Sequence, residues 1–269
     1  MDYTDDIIID SPKLHWPMAE YTKGHEPHFL FIITPPYSGS TALAEILNTS
    51  NKTMLLHESG EGQWLVPGLC EDDRWNSNKV IDYASVKSVW LNQYQKTKAQ
   101  NPSVKVVVEK SPSNMVRIKT LASQFDSCSF LANNRDPYAN CASTLYRHHE
   151  ADELSQNERL EILSVMAAAW LKRSMTILEL VTSLNIPLVT YENFCEDPMI
   201  LSRVLELPEG VAESIDPYAK VQVKDYMTNQ IVNKNDIQIN RLSSAEISHL
   251  SSIFDCYSFL LEHFNYKIL

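Results

Sequence analysis

The sequence predicts an α/β fold in which a central parallel β-sheet is flanked by helices. Two observations predict this fold: short runs of consecutive apolar residues recur along the chain, and stretches with helical periodicity separate them. Strands that are apolar on both faces are typical of a parallel sheet covered by helices on both sides. The predicted strands are 29–34, 53–57, 104–109, 128–133 and 187–191.

Helical patterns fill the intervals between these strands and the end of the chain. The predicted helices are 40–49, 84–100, 112–124, 137–149, 154–183 and 243–264. The sequence contains no Gly/Ser-rich linker, low-complexity run or internal repeat, and 269 residues are enough to bury a full core. We therefore expect a single domain over 1–269, with its core at about 29–266 and an N-terminal extension at 1–28.

The charge balance bears on the partners. With 23 Lys and Arg against 34 Asp and Glu, the net charge is −11. An acidic surface repels nucleic acid, anionic membranes and polyanionic polysaccharides. The balance therefore predicts no nucleic-acid partner and no membrane partner, and it favours a neutral or cationic small molecule. An acidic surface that only keeps the protein soluble is the alternative, and the sequence carries no signal for an oligomeric state.

Cysteine usage and the N-terminus bear on metals and on the compartment. The 5 cysteines are widely spaced and form no CxxC pair, so the sequence predicts no metal site and fits a reducing compartment. The N-terminus MDYTDDIIID lacks the basic-then-apolar order of a signal peptide, and no apolar run reaches the length of a membrane span. The expected location is cytoplasmic.

Ligands of parallel sheets bind at the carboxyl ends of the strands. The first strand is followed by PPYSGSTAL, in which Ser38, Gly39, Ser40 and Thr41 open a helix. Glycine lets the backbone approach an anion, the hydroxyls donate hydrogen bonds, and the helix N-terminus attracts negative charge. An ordinary capped turn is the alternative, because the sequence has no GxxxxGK[ST] motif.

Two other strand ends carry similar groups. Lys110 lies in EKSPSN after the third strand, and Arg135 lies before a helix that also carries Ser143 after the fourth. Each of these groups also has an interpretation without a ligand. Lys110 could be a surface lysine, and Arg135 could be a solvated arginine beside a capped helix. Anion-binding groups at three strand ends together predict a ligand with more than one phosphate or sulfate.

These residues resemble the sulfotransferase family that uses 3′-phosphoadenosine 5′-phosphosulfate (PAPS), and the resemblance runs from about 29 to 264. It implies a P-loop-type nucleotide-binding fold and PAP as the second product, with no metal. PPYSGSTAL would then bind the 5′-phosphosulfate, Arg135 and Ser143 the 3′-phosphate, and Lys110 would lie near the transferred group. VTYENFCEDP resembles a family element whose tyrosine, here Tyr191, lies near the nucleotide, and the C-terminal segment 242–266 resembles the final helix.

The chain departs from the family at Tyr37. Sulfotransferases of this kind usually carry Lys or Arg there, and sulfuryl transfer needs positive charge or donors near the bridging oxygen, where negative charge develops. Tyr37 brings a neutral donor without a charge. We expect Lys110 to supply the charge from the neighbouring strand.

The acceptor needs a base to take its proton. The segment HESGEG follows the second strand and contains His57, Glu58 and Glu61. Glu58 and Tyr37 are separated by the same number of residues as the glutamate and the loop cation in the family's tyrosine-sulfating branch. We therefore expect Glu58 to be the base, with His57 next. A solvated polar loop is the alternative, and Trp64 in the same region is a candidate for stacking on an acceptor.

Two other functions remain open at this stage. A protein that binds PAPS or PAP but transfers sulfate only weakly is favoured by Tyr37. A P-loop kinase is less favoured, because Ser40 stands where that motif requires Lys.

Overall fold

The computed structural model describes residues 26–223, 226–228 and 230–269, so most of the predicted N-terminal extension lies outside the described residues. Its central sheet contains β1 (His28–Ile33), β2 (Thr53–Leu55), β3 (Val106–Glu109) and β4 (Cys128–Ala132). The strands are ordered β2-β3-β1-β4, and all neighbours pair in parallel. The predicted parallel α/β fold is confirmed.

Helices follow the strands in alternation. The α-helices are α1 (Ser40–Leu47), α2 (Tyr83–Gln100), α3 (Ile118–Gln124), α4 (Pro137–His148), α5 (Gln156–Leu184), α6 (Tyr191–Glu196), α7 (Ile200–Val204), α8 (Asn235–Ile239), α9 (Ser244–Asp255) and α10 (Ser258–His263). Short 3-10 helices lie at Gly62–Leu65, Asp72–Trp75, Pro112–Val116, Ala151–Glu153 and Ala212–Ser214. A separate hairpin pairs β5 (Val221–Val223) with β6 (Tyr226–Thr228).

The first strand shows why both faces of the sheet are covered. Successive side chains of a strand point to opposite faces. Phe29 and Phe31 pack into one hydrophobic cluster with α2 to α5, whereas Leu30 and Ile32 pack into a second cluster with α1 and the segment after α6. Every residue of β1 is buried, which explains the uninterrupted apolar run in its sequence.

Three predicted elements differ from the structure. The predicted strand 187–191 pairs with β4 only at the bridge between Ala132 and Leu188, because Pro187 has no N–H and Tyr191 already begins α6. The predicted helix 112–124 starts as a 3-10 turn and becomes helical only after Arg117. The predicted helix 243–264 is broken at Tyr257 into α9 and α10.

A buried histidine joins the first strand to its neighbour. The His28 ring nitrogens bond to the hydroxyls of Ser127 (2.9 Å) and Ser129 (2.8 Å). Burial lowers the pKa of His28 from 6.5 to about 4, because the charged imidazolium has lost its water. The folded state therefore keeps this ring neutral under conditions in which the unfolded chain binds a proton.

We expect His28 to make the fold acid-sensitive. Its pKa is depressed on folding, so its stabilising contribution is present above pH 6.5 and is lost as the pH falls to about 4. At about 1.4 kcal/mol per pKa unit, the loss is about 3 kcal/mol. Urea unfolding at several pH values should show that His28→Gln loses less stability over this window than the wild type. The exposed His263, changed to Gln, is the control, and equal acid sensitivity in all three proteins would contradict the prediction.

Candidate active site

A cavity of about 630 Å³ opens at the carboxyl ends of β1, β3 and β4. This volume is in the range of small-molecule and cofactor sites. The sequence-predicted residues on its wall are Tyr37, Gly39, Ser40, Thr41, Trp64, Lys110, Arg135, Ser143 and Tyr191. Three separate strand ends therefore contribute to one site, as the sequence predicts for a ligand with several anionic groups.

The loop after β1 has an unusual backbone. Tyr37 (φ 65°) and Gly39 (φ 83°) both lie in the left-handed region, and α1 begins directly afterwards at Ser40. A Cβ atom on Gly39 would lie 2.3 Å from Cδ2 of Tyr191, so only glycine admits the tyrosine ring. Glycine is therefore required here for packing against Tyr191, in addition to the close anion approach that the sequence indicates.

Helix α4 holds this loop from behind. Asn140 donates to the carbonyl oxygen of Pro36 at 2.8 Å and to the hydroxyl of Ser38 at 3.3 Å. Ser38 is fully buried. The groups of this segment that remain for a ligand are the N–H groups of the first turn of α1, which have no partner within the helix. Ser38 therefore lies beneath the cavity wall, and Asn140 is a supporting residue that the sequence reasoning did not single out.

Arg135 is fixed on several sides. It donates to the carbonyl oxygen of Tyr37 at 3.0 Å and to the Asn235 side chain at 2.8 Å, and its guanidinium carbon lies 4.4 Å from the Tyr191 ring centroid. Only 6% of Arg135 is exposed. Ser143 lies on the same cavity wall, two turns along α4. The arginine is thus held in place by neutral partners and a ring, which leaves its charge available to an anion.

Tyr37 contacts a histidine. Its hydroxyl hydrogen-bonds to Nε2 of His148, which ends α4 and also lines the cavity. Burial raises the pKa of Tyr37. The charge of Arg147 opposes this rise and the charge of Glu61 adds to it, and both effects are smaller than that of burial. Tyr37 therefore stays a neutral hydroxyl near pH 7, and His148 is a further polar group beside it on the cavity wall.

Lys110 is paired inside the cavity. Its Nζ lies 3.0 Å from Oε1 of Glu61, and only 3% of the lysine side chain is exposed. Gly60 (φ 76°) makes this contact possible, since a Cβ there would lie 3.0 Å from Cε of Lys110. The second oxygen of Glu61 accepts from Gln63 at 2.7 Å and from Trp64 at 3.1 Å. A cation and a carboxylate therefore face the same space beside the loop.

The residue before Lys110 anchors this arrangement. Glu109 accepts hydrogen bonds from the backbone N–H of Gly62 (2.9 Å) and Ser111 (2.6 Å), the Asn114 amide (3.1 Å) and the Ser111 hydroxyl. Burial raises the pKa of Glu109 to about 7, although its hydrogen bonds oppose the rise. Glu109 does not line the cavity, and it ties the segment that carries Glu61 to the end of β3.

The structure does not bring the predicted bases His57 and Glu58 to this cavity. Both line a second cavity together with Glu45, and Glu58 is exposed. Residues 57–60 form a turn in which the N–H of Gly60 donates to the carbonyl oxygen of His57 at 2.7 Å. Glu61 is the first residue after this turn that lines the first cavity. The expectation that Glu58 faces the phosphosulfate loop does not match this placement, and Glu61 is the carboxylate of this segment on the cavity wall.

Among residues 26–223, 226–228 and 230–269, no group of three or more His, Cys, Asp and Glu residues is arranged to hold a metal ion. Within the same residues, no helix combines the length and the apolar character needed to cross a membrane.

The parallel sheet places basic and hydroxyl side chains from three strand ends on the wall of one cavity. The model of the sulfotransferase family matches residues 27–206, which is more than half of the chain. The chain therefore belongs to the sulfotransferase family and is a sulfotransferase enzyme. No curated protein matches the sequence.

Two solved structures share the fold. The sulfotransferase domain of the olefin synthase from Synechococcus PCC 7002 is 17% identical, with a TM-score of 0.52, and the match covers 92% of this chain and 98% of that one. Sulfotransferase STF9 from Mycobacterium avium is 14% identical, with a TM-score of 0.51, and the match covers 90% and 78% of the two chains. At these identities the likeness concerns the fold.

Proposed function

We propose that this sulfotransferase takes the sulfuryl group of PAPS and transfers it to a hydroxyl or an amine of a small molecule. The observation that carries the proposal is the convergence of Tyr37 and residues 39–41 of the loop, Lys110, and Arg135 with Ser143 on one cavity. The donor set fits PAPS, because it offers helix N–H groups and hydroxyls at one point and a fixed guanidinium at another.

Each group has a separate task in the proposed site. The loop and the N-terminus of α1 bind the 5′-phosphosulfate, and Arg135 with Ser143 binds the 3′-phosphate. The ring of Tyr191 packs against the guanidinium of Arg135 and would border the nucleotide. PAPS supplies an activated sulfuryl group whose bridging S–O bond is the one that breaks.

Lys110 stabilises the charge that develops during transfer. When the acceptor oxygen or nitrogen bonds to sulfur, the bridging S–O electron pair passes to the phosphate oxygen, and a cation beside that oxygen lowers the barrier. Tyr37, hydrogen-bonded to His148, lies at the loop position where the family resemblance implies a cation and adds a neutral hydroxyl there. Glu61 holds Lys110 at the cavity wall before the ligand enters.

Glu61 is our proposed base. It is the carboxylate on the cavity wall, and its pairing with Lys110 puts it next to the group that acts on the leaving oxygen. Its carboxylate takes the proton that the acceptor loses when the new S–O or S–N bond forms. Glu58 and His57, which the sequence favoured, are the competing candidates on the second cavity.

The nucleotide site is tested by changing its arginine. Arg135→Ala is expected to weaken PAP binding by about 1.5–3 kcal/mol, the range for a hydrogen bond to a charged group. Titration calorimetry with PAP and with adenosine 5′-phosphate, which lacks the 3′-phosphate, should show the loss for PAP alone. The control is Arg203→Ala, which removes an exposed arginine paired with Asp197.

Two results would contradict this assignment. PAP affinity that is unchanged in a folded Arg135→Ala protein would remove Arg135 from the site. An equal loss for PAP and adenosine 5′-phosphate would mean that Arg135 acts only by supporting the loop through the carbonyl oxygen of Tyr37.

Ser143→Ala, which disturbs no hydrogen bond within the described residues, serves as the second variant and should weaken PAP binding in the same selective way.

A further inference from the structure

We propose that Arg74 and Arg173 form a binding site for an anionic group of the acceptor, such as a carboxylate. This inference rests on the proposed function, because it concerns the second substrate of the same site. Both arginines line the cavity, together with Trp75. The acceptor class that follows differs from the neutral or cationic small molecule that the net charge predicts.

The two guanidinium groups have no acidic partner among the described residues. Arg173 lies over the Trp75 ring, with its guanidinium carbon 4.6 Å from the ring centroid. It forms no ion pair with any residue that the structure describes. Within the described part of the chain, the Arg74 side chain donates only to the carbonyl oxygens of Cys70 (3.4 Å) and Glu71 (3.1 Å).

The nearest carboxylates along the chain are used elsewhere. Glu71 lies 2.8 Å from Lys79, and Asp73 is paired with the same lysine. Burial lowers the pKa of Arg173, and the charge of Arg74 lowers it further, as expected for two cations held together without a counter-ion. A planar guanidinium that is already stacked on a ring is well suited to bind a carboxylate through two hydrogen bonds.

The position of the pair assigns it to the acceptor. Arg74 and Trp75 belong to the 3-10 helix Asp72–Trp75, which contacts the 3-10 helix Pro112–Val116 that follows Lys110, and α5 contacts the latter helix as well. The arginines therefore lie on the β3 side of the loop. Arg135 lies on the opposite side, after β4. The proposed nucleotide groups and the arginine pair thus flank the point of transfer.

The local charge of the cavity is opposite to that of the whole protein. Its described wall carries five cationic residues, Arg74, Lys110, Arg135, Arg173 and Lys234, against the single carboxylate of Glu61. The field inside a cleft is set by the charges on its wall, where low-dielectric surroundings focus it. The net charge of −11 therefore gives no reason to exclude an anionic acceptor.

The test measures probe binding to the PAP-saturated full chain by titration calorimetry. The probes are 4-hydroxyphenylacetate, its neutral amide and the cationic tyramine, which share the phenol and differ in charge. We expect the carboxylate probe to bind at least about 10-fold more tightly than either other probe. Among the three, it is the one that can pair its negative charge with the two guanidinium groups. Arg74→Gln and Arg173→Gln should each abolish the preference.

The control variant is Lys172→Gln, which removes an exposed charge from the adjacent position of α5 and should keep the preference. Equal binding of the three probes, absent binding of the carboxylate, or a preference for tyramine would overturn the proposal. A loss of PAP affinity in either arginine variant would also overturn it, because the arginines would then belong to the nucleotide site. A wild-type protein that fails to bind PAP at all would instead reject the proposed function on which this inference rests.

Discussion

Replacing Lys110 with Met is expected to lower kcat by about 10²–10³, the cost of removing a single stabilising donor at a developing oxyanion. Met keeps the buried stem of the side chain, which packs against Gly60, and removes only the charge. The measurement is the initial rate of PAP formation at saturating PAPS. We expect a loss of this size because Tyr37, beside the same cavity, is a neutral hydroxyl and brings no charge that could replace Lys110.

Tyr37→Phe is the informative comparison. It removes the hydroxyl that contacts His148 and keeps the ring, so the loss of kcat should be much smaller than that of Lys110→Met. Lys119→Met, which alters an exposed lysine of α3, should leave the rate unchanged. Equal losses for Lys110 and Tyr37, or a larger loss for Tyr37, would mean that the developing charge is stabilised at the loop itself.

Glu61→Gln is expected to lower kcat by about 10²–10⁴, the usual contribution of a general base. The change is nearly isosteric and keeps the contacts with Gln63 and Trp64 possible, while it removes the proton acceptor. Glu58→Gln is the matched control, three residues away on the second cavity, and should retain near-normal turnover. The reverse ranking would return the role to Glu58, as the sequence predicts.

The loss of the Glu61 carboxylate also leaves Lys110 without its ion-pair partner, so a second measurement separates the two effects. Across a series of phenolic acceptors of increasing acidity, a missing base matters less as the acceptor gives up its proton more easily. The loss in kcat should therefore shrink along the series. A loss of constant size would identify Glu61 as a residue that only positions Lys110.

Much of the donor side of the site follows from local rules that sequence makes visible. A buried strand, a turn of small residues and a helix start can be recognised from spacing alone, and the ends of parallel strands meet at one edge of the sheet. Arg135 and Lys110 were predicted in this way, and both lie on the cavity wall. Their roles toward PAPS stay proposals until binding is measured.

The acceptor side was not predictable in the same way. Whether Glu58 or Glu61 faces the cavity depends on the turn at Gly60, with its left-handed backbone, and on the anchoring of Gly62 by the buried Glu109. The stack of Arg173 on Trp75 joins residues far apart in sequence, without any local pattern that reports it. The broken strand at 187–191 shows the same limit, since the apolar run continues although Pro187 and the start of α6 end the pairing.

The central claim, that this enzyme transfers sulfate from PAPS at the described cavity, is tested most directly by mass spectrometry. The full chain is incubated with PAPS and a panel of neutral, cationic and anionic hydroxyl and amine acceptors. We predict at least one product that is heavier by one SO₃ group, together with an equal amount of PAP, and the loss of both in Lys110→Met. PAP binding without a sulfated product from any member of the panel would contradict the claim and favour a protein that binds the nucleotide without efficient transfer.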